Sequence, residues 1–251
     1  MSRVATVIVT RNRRSLLEEC ISAVLAQDHP IQDLIIVDNA SEDDTLFFLD
    51  AYRPRNLSGN YVHVSLTQNL GGAGGFRIGT SLALNHDVDY LWLMDDDGYP
   101  DPECLGKLLG AMEQGPYGIV GPLVIDRNDT TSLAFSLNGV TSVADAQTAP
   151  IHEGAVTPFN GTLLASWAVS EIGSIKSEMF IWGDEKEYML RAKRANVSIA
   201  TISHAHFFHP RGKSERVNLP FSLGKFEVKP MPLFLFYVRN KGFLTQEYYS
   251  D

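Results

Sequence analysis

The sequence has few cysteines, no long apolar run and no excess of positive charge. Its two cysteines, Cys20 and Cys104, lie far apart without the spacing of a metal site, which favours a reducing compartment. No apolar stretch approaches the roughly 20 residues of a membrane span, and the first strand pattern begins too early to leave room for a signal peptide. The net charge of -9 argues against a general nucleic-acid-binding protein. Together these absences predict a cytoplasmic protein without a nucleic-acid partner.

Apolar runs alternate with amphipathic segments through the first 100 residues. The first run, residues 4–10, is rich in β-branched residues, which is typical of a strand buried on both faces of a parallel sheet. The apolar runs cover residues 4–10, 34–37, 61–66 and 90–94, and helical patterns lie at 15–27, after Ser41, and at 71–85. This alternation predicts an α/β fold with a doubly wound, mostly parallel sheet. The 251 residues, 44% of them hydrophobic, are enough to bury a large core.

Polar residues follow each of the four predicted strands. In sheets of this class, ligands bind outside the carboxyl ends of the strands. Because these ends meet at one edge of the sheet, we predict that the polar residues form a single ligand site. Its members are Thr10, Arg11 and Asn12 after the first strand, Asp38 after the second, Asn69 and Gly71 after the third, and Asp95, Asp96 and Asp97 after the fourth.

The three consecutive aspartates are the most informative of these residues. Side chains alternate along an extended chain, so Asp95 and Asp97 are expected on one side and Asp96 on the other. Two neighbouring carboxylates repel each other unless a cation lies between them, and oxygen ligands of this type suit Mg²⁺ or Mn²⁺. A solvated acidic turn, or an N-cap cluster for the following helix, is the alternative. The position directly after a hydrophobic strand favours the metal site.

The glycine-rich stretch at 69–75 lacks the spacing of the common phosphate-binding loops. No GxGxxG follows the first strand, and GxxxxGK[ST] is absent from the sequence. Two interpretations stay open: the glycines let the backbone approach a nucleotide closely, or they let the helix pack tightly on the sheet.

The pattern is less regular after residue 117. Residues 118–157 contain short strands at 119–120 and 123–125 and a polar stretch in which little chemistry is visible. Residues 159–164 return to a regular pattern, and a helix is predicted at 166–172. Asp184 and Glu185 then open a helix that runs to Ala195, directly after Trp182 and Gly183. Acidic residues are favoured in a first helical turn by the helix dipole alone, but the adjacent tryptophan favours a sugar-binding site.

Three of the seven histidines follow the strand predicted at 197–202: His204, His206 and His209. No cysteine or second histidine cluster completes a tetrahedral zinc site. A single histidine that joins the cation at the aspartates is the simpler interpretation, and it leaves the other two with structural roles.

A basic, aromatic tail begins near residues 211–213, and residues 232–244 have the pattern of an amphipathic helix. We therefore predict a main domain over residues 1–215 and a C-terminal helical segment over 216–251. The helix has three alternative partners: the main domain, a further C-terminal segment of a longer protein, or a membrane surface.

Five motifs, in this order, resemble those of family 2 glycosyltransferases. They lie at residues 7–12, 36–41, 69–75, 95–97 and 182–185, and the resemblance covers residues 4–210. It implies a Rossmann-like GT-A fold and an inverting transferase that uses a nucleotide-sugar donor. The stretch 69–75 and the sequence Tyr-Val-Arg-Asn at 237–240 resemble galactofuranosyl- and rhamnosyltransferases of bacterial cell-surface polysaccharides. The implied donor is then UDP-galactofuranose or dTDP-rhamnose. The implied acceptor is a glycan or a lipid-linked molecule at the inner face of the cell membrane.

The resemblance also implies roles for individual residues. Glu185 is the implied general base, where aspartate is commoner in the family, with Asp184 beside it. Mn²⁺ or Mg²⁺ would be held by Asp95, Asp97 and His209, with His206 as the second choice. The implied nucleotide-binding residues are Thr10, Arg11, Asn12, Asp38, Asn69, Gly71, Asp95 and Asp96. The acceptor-binding residues are Trp182, Asn160 and Gly161.

Two other classes of function are compatible with such a sheet. A sugar-1-phosphate nucleotidyltransferase needs a glycine-rich loop with a basic residue just after the first strand, and residues 11–14 contain no glycine. A non-catalytic nucleotide-sugar-binding module would have no use for Asp97 and Glu185 together. Both remain alternatives to the transferase.

Overall fold

The apolar runs of the first 100 residues form neighbouring strands in the computed structural model of the chain. The structure describes residues 2–54, 57, 59–211, 215–218, 225–231 and 233–250, and the side chains of these except at 215–218 and 225–228. Parts of two predictions, residues 212–213 at the start of the basic tail and the helix start at residue 232, lie outside this range.

The strands of the central sheet are β1 (Val4–Thr10), β2 (Asp33–Asp38), β3 (Tyr61–Ser65), β4 (Tyr90–Asp95), β5 (Tyr99–Pro100), β6 (Tyr117–Asp126), β7 (Asp129–Leu137), β8 (Val140–Ser142), β9 (Ile151–Glu153), β10 (Asn160–Ala165) and β11 (Ser198–His209). Two further strands, β12 (Glu215–Asn218) and β13 (Lys225–Val228), pair with each other. The helices are α1 (Arg14–Leu25), α2 (Thr45–Ala51), α3 (Gly71–Leu84), α4 (Cys104–Gln114), α5 (Val143–Ala146), α6 (Ser166–Ile172), α7 (Asp184–Arg194) and α8 (Phe234–Tyr248), with a 3₁₀ turn at Ser177–Met179.

The central sheet has the order β3-β2-β1-β4-β10-β6-β11-β5. The first four of these strands are parallel, and so are β6 and β11. Strand β10 lies between β4 and β6 and is antiparallel to both. The predicted alternation of strands and helices is therefore confirmed, within a sheet that is mixed rather than uniformly parallel.

The glycine-rich helix α3 packs directly on the sheet. A Cβ atom on Gly75 would lie 2.5 Å from Val9 Cγ1, and one on Gly79 would lie 2.3 Å from Val7 Cγ1. Both distances are too short for real side chains, so this helix can lie so close to β1 only because these positions are glycine. Of the two interpretations of the glycines, tight packing accounts for these positions.

Two predicted boundaries differ from the structure. The short strands expected at 119–120 and 123–125 are one strand, β6, because Gly121 and Pro122 stay within the sheet. The strand expected at 197–202 continues as β11 to His209, so the three histidines lie on the strand rather than after it. Its pairing with β6 shifts register between Ile202 and His206, and such an irregularity is not visible in a hydrophobic pattern.

The C-terminal helix α8 packs on the main body mainly through one face. Asn240 and Leu244 are its buried residues, whereas Leu235 and Val238 are exposed. The division at residue 215 stays a prediction. Among the helices in the described part of the chain, none combines the length and apolar character needed to traverse a bilayer.

Candidate active site

The predicted ligand site lies where β1 and β4 end side by side. Val9 of β1 pairs with Asp95 of β4, so the residues after each strand meet. The Thr10 hydroxyl donates a hydrogen bond to Asp96 Oδ2 at 2.7 Å, and both side chains are buried. Thr10 therefore holds Asp96 in place.

A residue that the prediction did not include, Arg13, bridges two of the aspartates. Its Nη1 lies 3.1 Å from Asp96 Oδ1 and 2.7 Å from Asp97 Oδ2. The expectation that Asp96 and Asp97 lie on opposite sides is wrong, because β4 ends at Asp95 and the alternation of an extended strand stops there. The basic run at 11–14, at the carboxyl end of the first strand, was the available signal for such a contact.

His209 is the histidine that reaches the aspartates. Its Nε2 lies 2.9 Å from Asp97 Oδ1, and its Nδ1 lies 2.6 Å from Pro210 O. The ring of Phe135, from the region in which no chemistry was expected, packs at 5.2 Å from the His209 ring. His206 instead lies 3.0 Å from the Gln147 amide, and His204 is exposed.

The contact between Asp97 and His209 fits a divalent cation. The Pro210 carbonyl can only accept, so Nδ1 carries a proton; Nε2 then faces Asp97 either as the N–H of a charged ring, which forms an ion pair, or as a lone pair beside a second acceptor. Two such acceptors need a proton or a metal ion between them. Ligands about 2.1 Å from an octahedral ion and adjacent to each other are about 3.0 Å apart, close to the distance observed. Among the described residues, no three Asp, Glu, His or Cys side chains form a ligand group by themselves.

The three neighbouring aspartates are buried or half-buried at this point, and this shifts their pKa values. Burial and the charges of Asp97, Asp96 and Glu185 raise the pKa of Asp95 well above its usual value. Burial also raises the pKa of Asp96 to about 6, although Arg13 and Thr10 oppose this shift. For Asp97 burial is outweighed by His209 and Arg13, which together lower its pKa. The site therefore has more buried carboxylates than partners, a surplus that a bound cation would neutralise.

Asn39 joins the end of β2 to the start of α3. This residue is not among the site residues predicted from the sequence. Its Nδ2 donates to Gly71 O at 2.8 Å and its Oδ1 accepts from Leu70 N at 2.8 Å, while Asn69 Oδ1 accepts from Gly71 N at 2.9 Å. Gly71 has φ +71°, and a Cβ atom there would lie 2.0 Å from Phe180 O. Only glycine fits this position, so the start of α3 can approach the loop of residue 180.

Arg11 and Asn12 lie beside the end of β2. Asn12, with φ +54°, receives a hydrogen bond from Glu42 N at its Oδ1 (2.6 Å) and donates its own N–H to Ser41 Oγ (2.9 Å). Asp38 is buried and accepts from Ser41 N at 3.0 Å. Two of the predicted nucleotide-binding residues, Asn12 and Asp38, thus share one network around Ser41.

We name residues 180–183 the base loop, because they lead directly into Asp184 and Glu185 at the start of α7. Phe180 (φ +65°) and Trp182 (φ +58°) both have left-handed backbones, and Gly183 has φ +134°. Such values cost non-glycine residues about 1–3 kcal/mol each and persist only where surrounding contacts impose them. The loop is therefore held in shape by its neighbours.

The two acidic residues after this loop have different surroundings. Asp184 is 3% exposed, and its Oδ1 has no hydrogen-bond partner among the described residues. Burial and the charge of Glu185 raise the pKa of Asp184 well above its usual value. Glu185 is partly exposed, and its charge is felt at Asp95. Burial raises the pKa of Glu185 too; backbone N–H groups and Lys229 lower it without cancelling the rise.

The predicted acceptor residues lie in two places. Trp182 is partly exposed, and the Lys229 ammonium lies 5.4 Å from the centroid of its ring. Asn160 is buried beside the end of β4, and its Oδ1 has no partner among the described residues. Gly161 lies inside the sheet, where its carbonyl accepts from Trp92 Nε1 at 2.8 Å. An acceptor role for these three residues stays a prediction.

Comparison with known proteins identifies the family. Residues 6–155 match the model of the family described as glycosyl transferase family 2. Galactofuranosyltransferase GlfT1 of Mycobacterium tuberculosis (strain ATCC 25618 / H37Rv) is 32% identical over 97% of this chain and 82% of its own length. GlfT1 of Mycolicibacterium smegmatis is 30% identical over 84% of this chain and 72% of its own length.

Solved structures give the fold. The mannosyltransferase PcManGT from Pyrobaculum calidifontis, in complex with GDP-Man and Mn²⁺, superposes with a TM-score of 0.60 at 18% identity over 84% of this chain and 58% of its own. GalNAc-T7 with UDP, GalNAc and Mn²⁺ superposes with a TM-score of 0.64 at 13% identity, over 98% of this chain and 48% of its own. The fold is GT-A, as predicted. The chain belongs to glycosyl transferase family 2 and is a glycosyltransferase, which decides among the classes of function that the sequence left open.

Proposed function

We propose that the enzyme transfers galactofuranose from UDP-galactofuranose, with inversion, to a glycan or lipid-linked acceptor. The observation that carries this proposal is the convergence of two groups at one edge of the sheet: the aspartates after β4 and the carboxylate of Glu185, whose charge reaches Asp95. The similarity to galactofuranosyltransferases supports this donor, and dTDP-rhamnose is the second candidate.

The nucleotide is bound along the ends of β1, β2 and β4. Arg11, Asn12 and Asp38 hold the base, with Asn69 and Gly71 beside it. Thr10 acts through its hydrogen bond to Asp96, which contacts the nucleotide together with Asp95. This arrangement uses the edge at which sheets of this class bind ligands.

Asp97, His209 and Asp95 would hold Mn²⁺ or Mg²⁺; because these three side chains do not form a ligand group by themselves, oxygens of the donor would complete the coordination. When bound, the ion supplies positive charge to the leaving diphosphate. Asp97 divides its two oxygens between His209 and Arg13, so the residue is already oriented before a ligand arrives.

Glu185 accepts the proton of the acceptor hydroxyl as that oxygen attacks the anomeric carbon from the face opposite the diphosphate. Trp182 forms the wall against which the acceptor ring stacks. The C–O bond to the diphosphate breaks as the new glycosidic bond forms, so no covalent sugar–enzyme intermediate and no protein nucleophile are involved.

The identity of the donor is tested by measuring the release of the nucleoside diphosphate from several nucleotide sugars in the presence of Mn²⁺. We expect UDP-galactofuranose to give the highest kcat/KM, followed by dTDP-rhamnose. Glu185→Gln protein, prepared in the same way, controls for contaminating hydrolases. Good turnover of UDP-glucose, with neither of the other two donors used, would contradict the assignment.

The exposed face of α8 is proposed as a contact to the inner face of an anionic membrane. On α8, Leu235 is 70% exposed, and Met231, just before the helix, is 73% exposed. The ammonium groups of Lys229 and Lys241 lie 5.9 and 5.8 Å from the centroid of the Tyr237 ring of α8, on a protein of net charge -9. Apolar side chains flanked by lysines match a surface of anionic lipid.

We therefore expect the protein to sediment with phosphatidylglycerol vesicles, and Leu235→Glu to reduce the bound fraction severalfold. Phe47→Glu is the matched control, because Phe47 on α2 is 80% exposed but lies on another helix. An equal loss of vesicle binding in both variants, or no vesicle binding by the unmodified protein, would count against a membrane role for α8.

A further inference from the structure

One asparagine of α8 holds the base loop by its backbone. Asn240 is 2% exposed. Its Nδ2 lies 2.7 Å from Met179 O, 2.9 Å from Ile181 O and 3.2 Å from Trp182 O. The two hydrogens of the amide are thus shared among three carbonyl groups in and directly before the base loop.

The preceding residue, Arg239, orients this amide and extends the contact. Its Nε and Nη2 donate to Asn240 Oδ1 at 3.0 and 2.9 Å. Because the oxygen of Asn240 faces the guanidinium, the NH₂ group faces the loop. Arg239 Nη2 also donates to Glu178 O at 2.6 Å and Met179 O at 3.0 Å.

The rest of the loop is held from both sides. Phe180 O accepts from Ala73 N of α3 at 3.1 Å, and the Phe180 ring stacks on Phe236 of α8 at 4.4 Å. A Cβ atom on Gly183 would lie 3.0 Å from Asn240 Cβ, so α8 is in direct contact with the last residue of the loop. Each of the carbonyl groups of residues 178–182 is therefore engaged by α8 or α3.

We infer that Arg239 and Asn240 are positioning residues for Glu185. The inference rests on the proposed role of Glu185 as the base. The left-handed residues of the base loop set where α7 begins, and Glu185 lies in the first turn of that helix. By fixing the loop carbonyls, the Arg239–Asn240 pair fixes the position of the carboxylate relative to the aspartates. The C-terminal helix thereby becomes part of the catalytic unit.

Asn240→Asp tests this role, since it keeps the shape of the side chain but removes both donors. Displacement of a catalytic group by about 1 Å costs on the order of 10²-fold in rate, so we expect a loss of that size in kcat. The donor KM and the affinity for UDP with Mn²⁺ should stay within about twofold, because the donor residues lie on other elements. Arg194→Ala is the matched control: it breaks the contact of α7 to α8 at the far end of α7, where Arg194 Nη1 meets Glu247 Oε1 at 2.9 Å, and should leave kcat near the wild-type value.

A double-mutant cycle separates positioning from general support of the fold. If Asn240 acts through Glu185, Asn240→Asp should lower kcat less than about threefold in a Glu185→Gln background. An equal effect in both backgrounds, or a raised donor KM with unchanged kcat, would overturn the inference. Should Asn240→Asp fail to fold, Arg239→Gln at a more exposed site takes its place, and wild-type kcat in that variant would also overturn it.

Hydrogen exchange provides a measurement that is independent of activity. We expect faster exchange of the amides at 180–186 in Asn240→Asp than in Arg194→Ala. If the wild-type enzyme used no nucleotide sugar, the proposed function would fail. Hydrogen exchange would still test whether the Arg239–Asn240 pair holds the base loop. If the wild-type enzyme were active and Asn240→Asp matched it in rate and in exchange, only the positioning role would fail.

Discussion

Glu185→Gln is expected to lower kcat by about 10²–10⁴-fold, with donor affinity nearly unchanged. The glutamine keeps the shape of the side chain and its hydrogen bonds but cannot accept the proton of the acceptor hydroxyl. Steady-state kinetics with saturating donor and acceptor measure the loss. A variant that transferred sugar at close to the wild-type rate would remove Glu185 from the role of base.

Asp184→Asn is the control for this substitution. Asp184 is buried and its pKa is raised well above the usual value, which favours the uncharged form of the carboxyl group, so a neutral amide should replace it with a milder effect. An inactive Asp184→Asn variant beside an active Glu185→Gln variant would show that the two roles are exchanged.

The pH profile adds a second criterion for the role of Glu185. Burial raises the pKa of Glu185, and the base must be ionised, so wild-type kcat should rise with pH above the range of an ordinary glutamate, and this limb should vanish in Glu185→Gln.

Asp97→Ala is expected to abolish the effect of Mn²⁺ or Mg²⁺ on nucleotide binding and to lower kcat on the order of 10²-fold or more. Asp97 is the carboxylate that meets His209 at 2.9 Å, so its removal takes away the central ligand of the proposed cation. Calorimetric titration with UDP, with Mn²⁺ and with a chelator, measures the dependence directly.

Two histidines of β11 serve as a matched pair in the same experiment. His209→Ala should weaken the dependence on metal, whereas His206→Ala should keep it, because His206 contacts Gln147 away from the aspartates. Equal affinity of the wild-type protein for UDP with and without the metal would refute the proposed site. A loss of metal dependence in His206→Ala would show that the ligand set had been assigned to the wrong histidine.

The parallel half of the sheet was predictable because its signals are local. The runs at 4–10, 34–37, 61–66 and 90–94 are mostly apolar, and each is followed by a helix pattern, which together define the βαβ order. The direction of β10 was not predictable. Its six residues are all buried, and a fully buried strand has the same pattern whether it is parallel or antiparallel to its neighbours.

The site was partly predictable for a similar reason. The ends of parallel strands must meet, so the nearness of Thr10 to the aspartates followed from the fold. Arg13 and Asn240 were missed as site residues, because their contacts join parts of the chain far apart in sequence. The hydrogen bonds of Asn240 reach back to residues 179–182, and no periodicity marks such a pairing.

The position of β10 has a consequence for how the chain folds. Strand β4 pairs with β1 on one side, but its other edge stays open until Asn160–Ala165 has been synthesised and has closed a long loop. Contacts of such sequence separation form slowly. During that interval the buried side chains of Leu91, Trp92 and Leu93 lie on an unpaired edge, which favours association with other chains. Asp95 N also lacks its partner, Phe159 O, until β10 arrives, so the edge of the sheet that carries the proposed site is completed only after β10 has paired.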